Sequence, residues 1–293
     1  MLKLQNVTKT FGDFKALDDL SLSVPKGSVY GLVGPNGAGK STAIRILTGV
    51  YRPDNGQVLM EGQPVWENDA LKARIGLISD EIFYFPSSTL EDMYRFYSGI
   101  FPNYDRELYA RLSDVFRLPS KKQIRSYSKG MQKQAAFQLV LCAHPDVLIL
   151  DEPVDGLDPV MRRTVSSLIL SEVAQRQVTV LISSHNLREL EDLCDYVGIM
   201  DRGKMLLERS LADMQGTTHK VQMVGQVPDQ LEILHTSGTG RLQSLIVRGT
   251  AAEVERILTE ANPAYFELIP MSLEEIFIYE LGGIRDEIKN IIL

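Results

Sequence analysis

Long hydrophobic runs and abundant cysteine are both missing from this sequence of 293 residues. No apolar stretch reaches the roughly 18–20 residues that span a bilayer, so we expect no membrane-embedded helix. The first residues lack the apolar segment of a secretory signal, and we expect no leader peptide. The cysteines, Cys142 and Cys194, each fall in an apolar helical pattern, which favours buried reduced thiols over a disulfide or a metal site.

An excess of basic residues is also missing. Asp and Glu number 38 against 31 Lys and Arg, which gives a formal net charge of −7. A protein that holds nucleic acid without sequence preference needs a basic face, so we expect no nucleic-acid partner. The content of 44% hydrophobic and 24% charged residues is typical of a folded globular protein. The length allows about two domains at roughly 150 residues each.

The chain changes character once along its length. Up to about Met214, short β-branched runs alternate with helical patterns, and the segment 215–218 then interrupts them. We therefore predict a first domain over residues 1–214 and a small C-terminal α/β accessory domain over 217–293. The second prediction depends on two strand-like runs and two helical patterns, at 220–224, 243–247, 251–261 and 272–281.

A glycine-rich segment follows the strand-like run 28–33 and precedes a helical pattern. Its residues are Gly34, Pro35, Asn36, Gly37, Ala38, Gly39, Lys40, Ser41 and Thr42. Glycines let successive N–H groups turn toward phosphate oxygens, and the following helix adds its positive end. In such a loop Lys40 reaches the β- and γ-phosphates and Ser41 ligates Mg²⁺. The segment therefore predicts a nucleotide-binding P-loop rather than an ordinary strand-to-helix turn.

Two carboxylates end a second apolar run. Residues 147–150 are apolar on both faces, as in a central parallel strand, and Asp151 and Glu152 follow directly. Ligands bind at the carboxyl ends of strands in open α/β sheets. We expect Asp151 to hold Mg²⁺ and Glu152 to orient and polarise an attacking water. Alone the pair could be two solvated acids, but the P-loop favours the functional interpretation.

Three later segments complete a resemblance to the ATP-binding subunits of ABC transporters. Ser126–Gln134 is similar to the family's signature L-S-G-G-Q followed by Q/K-Q-R, 155–159 resembles the D-loop, and 178–185 resembles the strand with the switch histidine. The resemblance covers residues 1 to about 214. It implies an α/β P-loop NTPase core of the RecA-like type, with the family's helical subdomain at about 81–135.

The resemblance also implies roles in a dimer. Two such subunits close head to tail, so that Ser128 and the backbone N–H of Gly130 meet the γ-phosphate held by Lys40 of the partner subunit. Asp158 then lies toward the opposite site. ATP binding closes the dimer, and hydrolysis to ADP and phosphate releases it. The second ATPase subunit is either identical to this chain or different from it.

Two further roles follow from the resemblance within one subunit. His185 contacts the γ-phosphate and helps to orient the water near Glu152, which makes both residues catalytic. Phe11, in the segment before the P-loop, is the expected ring that stacks on adenine. The alternative for Phe11 is a core phenylalanine at a strand edge.

Two residues depart from the family pattern. Asp80 stands where the family has a glutamine, and it either ligates Mg²⁺ or shapes the loop that couples to the membrane subunit. Lys129 replaces the first glycine of the signature. Its charge either approaches the phosphate of the partner subunit or projects into solvent, and we favour solvent.

The region between these departures has a helical pattern rich in aromatics. Phe83, Tyr84 and Phe85 form either a contact for the membrane subunit or an inward cluster. A capping box is expected at 88–91. Two apolar helical stripes follow, formed by Leu90, Met93, Tyr94 and Tyr97 and by Leu108, Leu112, Val115 and Phe116.

These observations together predict an ATP-hydrolysing subunit that drives a separate integral membrane subunit from the cytoplasmic face of the membrane. Residues 272–277 resemble the tail of exporter ATPases for drugs, peptides or lipids, so export is favoured over import. The tail itself could dimerise, regulate or brace the first domain. The alternative function is a soluble ABC-type ATPase acting on ribosomes or DNA. Such proteins usually have two ATPase halves or a coiled-coil insertion, and this sequence shows neither.

Overall fold

The computed structural model describes residues 1–239 and 241–280 of the chain. The fold consists of two compact units that are interleaved along the sequence. The first unit comprises residues 1–184 and 198–208, and the second comprises 185–197 and the chain from 209 onward. The boundary between residues 214 and 217 stays a prediction.

Two sheets form the first unit. Their strands are β1 (Leu2–Phe11), β2 (Phe14–Val24), β3 (Val29–Val33), β4 (Asn55–Met60), β5 (Gln63–Pro64), β6 (Ile75–Ile78), β7 (Val147–Asp151), β8 (Thr179–Ser184), β9 (Tyr196–Asp201) and β10 (Lys204–Ser210). An antiparallel sheet has the order β2-β1-β4-β5, and a six-stranded sheet has the order β10-β9-β3-β8-β7-β6.

The central strands of the six-stranded sheet explain the position of the site. β3, β7 and β8 are buried along their whole length, which requires the apolar runs seen in the sequence. They pair in parallel, with Val33 opposite Ser184 and Asp151 opposite Ser183. Their carboxyl ends therefore meet at one edge of the sheet, where open α/β folds bind ligands.

Helices connect these strands. They are α1 (Lys40–Leu47), α2 (Asp69–Lys72), α3 (Leu90–Ile100), α4 (Arg106–Phe116), α5 (Lys129–Leu141) and α6 (Pro159–Arg176), with a 3₁₀ turn at Ile124–Ser126. α3, α5 and this turn share an apolar cluster formed by Leu90, Met93, Ile124, Tyr127, Ala135 and Leu139. Tyr94 and Tyr97 pack against the cluster, as the first helical stripe predicts. In the second stripe Val115 is 43% exposed, contrary to expectation.

The capping box of α3 lies one residue later than the predicted 88–91. Thr89 is the N-cap, and its hydroxyl accepts a hydrogen bond from the N–H of Asp92 at 3.1 Å. The Asp92 carboxylate accepts one from the N–H of Thr89 at 3.0 Å. Ser88 instead donates its hydroxyl to the carbonyl of Phe85 at 2.8 Å, so it is committed to the preceding turn.

The second unit contains an antiparallel sheet of four strands. Its elements are α7 (Leu211–Thr217), β11 (Thr218–Val224), β12 (Glu232–Thr239), β13 (Leu242–Arg248), α8 (Ala251–Ala261), β14 (Tyr265–Ile269) and α9 (Leu273–Glu280), and the strand order is β12-β13-β11-β14. α8 has the predicted bounds, and its Val254 and Leu258 pack on the sheet. α9 lies against α7 and a 3₁₀ turn at Leu187–Glu189. Leu281, the last residue of the helix predicted at 272–281, lies outside the described residues.

Two expectations from composition can be compared with these units. Cys142 and Cys194 are buried free thiols, and burial raises the pKa of Cys142 to about 12. Within residues 1–239 and 241–280, each helix is too short or too polar to cross a bilayer.

Candidate active site

A cavity of about 280 Å³ opens where α1 begins. Its lining comprises Phe14, Ala16, all residues from Pro35 to Thr42, Asp80 and Glu152. The structure thus brings together most of the predicted P-loop, the predicted base and the residue at the family's glutamine position. Gly34, the first residue of the loop, is buried and does not line the cavity.

The loop has the backbone that an anion site requires. Gly39 is the N-cap of α1 with a φ of +102°, and a Cβ there would lie 2.7 Å from the carbonyl oxygen of Ala16. Only glycine tolerates both constraints. No side chain caps α1, so its first N–H groups remain available at a helix end that carries partial positive charge. Negative phosphate oxygens fit this end of the helix.

Lys40 occupies the interior of the loop. The residue is 6% exposed, and its ammonium donates to the carbonyl oxygens of Gly34 at 2.7 Å and Pro35 at 3.3 Å. The same Nζ lies 3.5 Å from Oε1 of Glu152. The candidate phosphate-binding cation and the candidate base therefore face each other across the cavity.

Ser183 holds the two acids that end β7. Its hydroxyl donates to Oδ1 of Asp151 at 2.5 Å and accepts from the N–H of Glu152 at 3.1 Å. Both Ser183 and Asp151 are buried. Ser183 belongs to the predicted strand 178–185, but its role cannot be predicted from that segment, because only the strand register shows that it lies opposite Asp151.

Asp80 pairs with two lysines of α5. Its Oδ1 lies 3.1 Å from Nζ of Lys129 and 3.3 Å from Nζ of Lys133. Lys129 also pairs with Asp155 at 2.9 Å, and hydrogen bonds to Asp155 and Asp80 raise the pKa of Lys129. Lys129 is exposed, as the preferred prediction for it states. Its side chain is 52% exposed, but its charge is neutralised within the chain.

Lys133 is a site residue that the sequence analysis missed. Its side chain is fully buried, and its ammonium donates to the backbone carbonyl of Glu152. Burial lowers the pKa of Lys133, while Asp80 opposes that shift. The signal in the sequence was its place between two glutamines in the signature-like segment Ser126–Gln134.

The signature and D-loop residues lie outside the cavity lining. Ser128 is the exposed N-cap of α5 and accepts from the N–H of Met131 at 3.2 Å. Gly130 is buried where a Cβ would lie 2.6 Å from the carbonyl oxygen of Gly156, so the signature helix packs directly on the D-loop. Asp158 is the exposed N-cap of α6 and accepts from the N–H groups of Val160 and Met161.

Two predicted residues, Phe11 and His185, are not among the residues that line the cavity. Phe11 is absent from the cavity lining and packs edge-on against Tyr51 at 5.5 Å, whereas Phe14, its register partner across the hairpin, lines the cavity and is 64% exposed. The proximity of Phe14 to the site was missed. His185 directly follows β8, is exposed, and belongs to the second unit.

The oxygen donors around the P-loop suit a hard divalent cation. Ser41 lines the cavity, and Asp151, which is not among the lining residues, ends the buried strand β7. Magnesium prefers such oxygen ligands together with phosphate oxygens. These residues therefore fit Mg²⁺. Asp80 fits less well, because one of its oxygens already faces two ammonium groups.

The aromatic segment after Asp80 has one inward-facing ring and two exposed rings, so it combines the inward cluster and the exposed surface that were predicted as alternatives. Tyr84 turns inward, and its hydroxyl donates to the carbonyl of Gln132 at 2.8 Å. Phe83 and Phe85 remain 78% and 48% exposed, and Phe85 contacts the ring of the exposed Phe96 with centroids 5.2 Å apart. An exposed aromatic patch formed by Phe83, Phe85 and Phe96 therefore lies on the helical part of the first unit.

Comparison with known proteins agrees with this geometry. Residues 17–155 match the family described as ABC transporter. The chain is 34% identical over 302 residues to the bacitracin transport ATP-binding protein BcrA of Bacillus licheniformis, covering 97% of this chain and 98% of that protein. It is 28% identical to the ABC transporter ATP-binding protein YtrB of Bacillus subtilis (strain 168), covering 97% and 99%. A solved ATP-binding subunit of an ABC transporter superposes with a TM-score of 0.67 at 25% identity, covering 73% of this chain and 92% of that one.

Proposed function

We propose that this chain, which belongs to the ABC transporter family of ATP-binding proteins, drives export through a separate membrane subunit. The chain is an ATP-hydrolysing subunit with the P-loop NTPase fold. Its relative BcrA is named for bacitracin transport, which supports export of a drug- or peptide-like cargo over a soluble ATPase acting on ribosomes or DNA.

The opposed pair Lys40 and Glu152 is the observation on which the proposed chemistry rests. When the γ-phosphate enters, its oxygens compete with Glu152 for the Lys40 ammonium, 3.5 Å from Oε1. The released carboxylate can then accept a proton from water that attacks the γ-phosphorus, while the bond from that phosphorus to the β–γ bridging oxygen breaks and ADP leaves. Ser41 and Asp151 would hold Mg²⁺, which would supply positive charge opposite the phosphate oxygens. His185 contributes by orienting that water, and Phe11 by stacking on adenine.

A second subunit completes the site in this proposal. The chain pairs with a second ATP-binding subunit and works with a membrane subunit, in keeping with its membership of the ABC transporter family. Ser128 and Asp158 are exposed and do not line the nucleotide cavity of their own subunit. Their positions support a role at the nucleotide of a partner subunit. The backbone N–H of Gly130 contacts the same nucleotide of the partner subunit. The chain then acts at the cytoplasmic face of the membrane, and the patch of Phe83, Phe85 and Phe96 contacts the membrane subunit.

Replacement of Lys40 tests the proposed site. Lys40→Met removes a charge-assisted phosphate contact, and we expect ATP affinity to fall roughly 10- to 100-fold. Lys26→Met, at an exposed lysine, is the matched control and should bind ATP as the wild type does. Binding is measured by equilibrium dialysis, and phosphate release is measured on the same samples. Unchanged ATP affinity in Lys40→Met would refute the assignment of the site.

Purification of the chain from solubilised membranes of its host tests the transport role. We expect the chain to co-purify with a membrane subunit from detergent-solubilised membranes. We also expect Phe83→Ser combined with Phe85→Ser to weaken that association while ATP affinity stays unchanged. Full association of the double variant would exclude the aromatic patch as the contact.

A further inference from the structure

We propose that Lys133 is a positioning residue for ATP hydrolysis, which holds the backbone of Glu152 so that its carboxylate faces the nucleotide cavity. Lys133 does not line the cavity itself, whereas Glu152 does. It therefore acts through Glu152 rather than on the substrate. The inference rests on the proposed role of Glu152 as the base.

The cost of burying Lys133 points to a specific use of its charge. The side chain is fully buried, and a buried ammonium is unfavourable unless anions and hydrogen-bond acceptors surround it. It has two such partners, Oδ1 of Asp80 at 3.3 Å and the carbonyl oxygen of Glu152. One of these belongs to the backbone of the candidate base. A neutral side chain of similar volume would avoid the desolvation penalty if packing alone mattered.

The backbone of Glu152 needs such a contact. Its φ is +49°, in the left-handed region that residues other than glycine occupy only where their surroundings enforce it. Its N–H donates to the hydroxyl and carbonyl oxygens of Ser183, at 3.1 and 3.3 Å. Its carbonyl accepts from Lys133. The two polar groups of this residue are thus held from opposite sides, by β8 and by α5, and the side chain is directed toward Lys40.

The same contact links the base to Asp80. Asp80 lies just after β6 and pairs with Lys129 and Lys133 at the start of α5, and Lys129 pairs in turn with Asp155 just after Glu152. A displacement of the Asp80 loop therefore acts on Lys133 and, through it, on the Glu152 carbonyl. Positional errors of about 1 Å at a reacting group can cost roughly 10²-fold in rate, so the contact bears directly on hydrolysis.

Lys133→Met in the full chain tests the proposal. Methionine keeps most of the apolar stem but cannot donate to Glu152, and Asp80 keeps Lys129 as a partner. We expect kcat for phosphate release to fall roughly 10²-fold while KM and the dissociation constant for ATP change less than about twofold. Lys133→Arg, which retains a cationic donor, should recover most of kcat. Lys122→Met, at an exposed lysine, is the control for the loss of a positive charge.

A double variant separates positioning of the base from a general structural effect. If Lys133 acts only through Glu152, adding Lys133→Met to Glu152→Gln should not lower the residual rate further. A full additional loss, or an unchanged kcat in Lys133→Met, would overturn the proposal. If Lys133→Met does not fold, kcat is measured instead on Lys133→Gln, whose side-chain amide ends one bond short of the position of the ammonium. An unchanged kcat in that variant would overturn the proposal in the same way. If Glu152→Gln itself keeps the wild-type rate, the proposed base is wrong, which is a different failure.

Discussion

Replacing Ser183 with alanine removes the hydroxyl that links the two acids at the end of β7. That hydroxyl donates to Oδ1 of Asp151 at 2.5 Å and accepts from the N–H of Glu152 at 3.1 Å. A buried hydrogen bond to a charged group contributes about 1.5–3 kcal/mol and a neutral one about 1 kcal/mol. The N–H of Glu152 still donates to the backbone carbonyl of Ser183 at 3.3 Å, so the loss of its hydrogen bond to the hydroxyl is only partial. We expect the free energy of unfolding to fall by about 2–3 kcal/mol.

Ser88→Ala is the matched control for this change. Ser88 is also a buried serine, but its hydroxyl makes one neutral hydrogen bond, to the carbonyl of Phe85 at 2.8 Å. Its loss should cost about 0.5–1.5 kcal/mol and leave ATP hydrolysis unchanged. Urea unfolding without nucleotide gives both free energies, and phosphate release gives the rates. Equal destabilisation by the two variants, with a wild-type rate for Ser183→Ala, would refute the importance of the Ser183 contacts.

Three further changes have defined outcomes. Asp80→Ala should slow phosphate release without raising the Mg²⁺ concentration that hydrolysis requires, because Oδ1 of Asp80 faces Lys129 and Lys133. A higher Mg²⁺ requirement in a titration would instead make Asp80 a metal ligand. Truncation after Gly216 removes α9 from the turn at Leu187–Glu189, so the shortened chain should aggregate in size-exclusion chromatography, and a monodisperse product would contradict this packing. The Lys220 ammonium, 2.9 Å away, lowers the pKa of Glu275 below 4.5, so this pair stabilises the fold at neutral pH and the stabilisation is lost as pH falls through the folded-state pKa. Glu275→Gln should therefore be less stable than the wild type by under about 1 kcal/mol at pH 7, and this difference should shrink as pH falls through the folded-state pKa of Glu275. A difference that keeps its size in acid urea titrations would exclude the pair as its cause.

Strand and helix positions could be predicted from the sequence because their patterns are local. The apolar run before Asp151 forms β7, and the helix at 251–261 has the predicted bounds. The α3 cap shifted by one residue because Ser88 and Thr89 are both competent caps, and the sequence does not show that Ser88 bonds the preceding turn.

The site could be predicted where one continuous segment supplies the chemistry, as the P-loop does. It was harder to predict where residues from separate segments come together. The role of Ser183 depends on strand register, and that of Lys133 on the contact between α5 and the carbonyl of Glu152, and no single segment encodes either. Phe11 and Phe14 are register partners across a hairpin, so both lie near its turn. Phe11 contacts Tyr51 and is not among the residues that line the cavity, and that tertiary contact is invisible in the sequence.

The central claim is that this chain binds ATP at the P-loop and hydrolyses it with Glu152 as the base. Glu152→Gln keeps the size of the side chain and removes its capacity to accept a proton, so the most direct measurement is phosphate release and ATP binding on this variant and the wild type at saturating Mg-ATP. We predict that turnover is lost, that ATP stays bound, and that the ATP-bound form elutes as a dimer. Phosphate release at the wild-type rate would contradict the account.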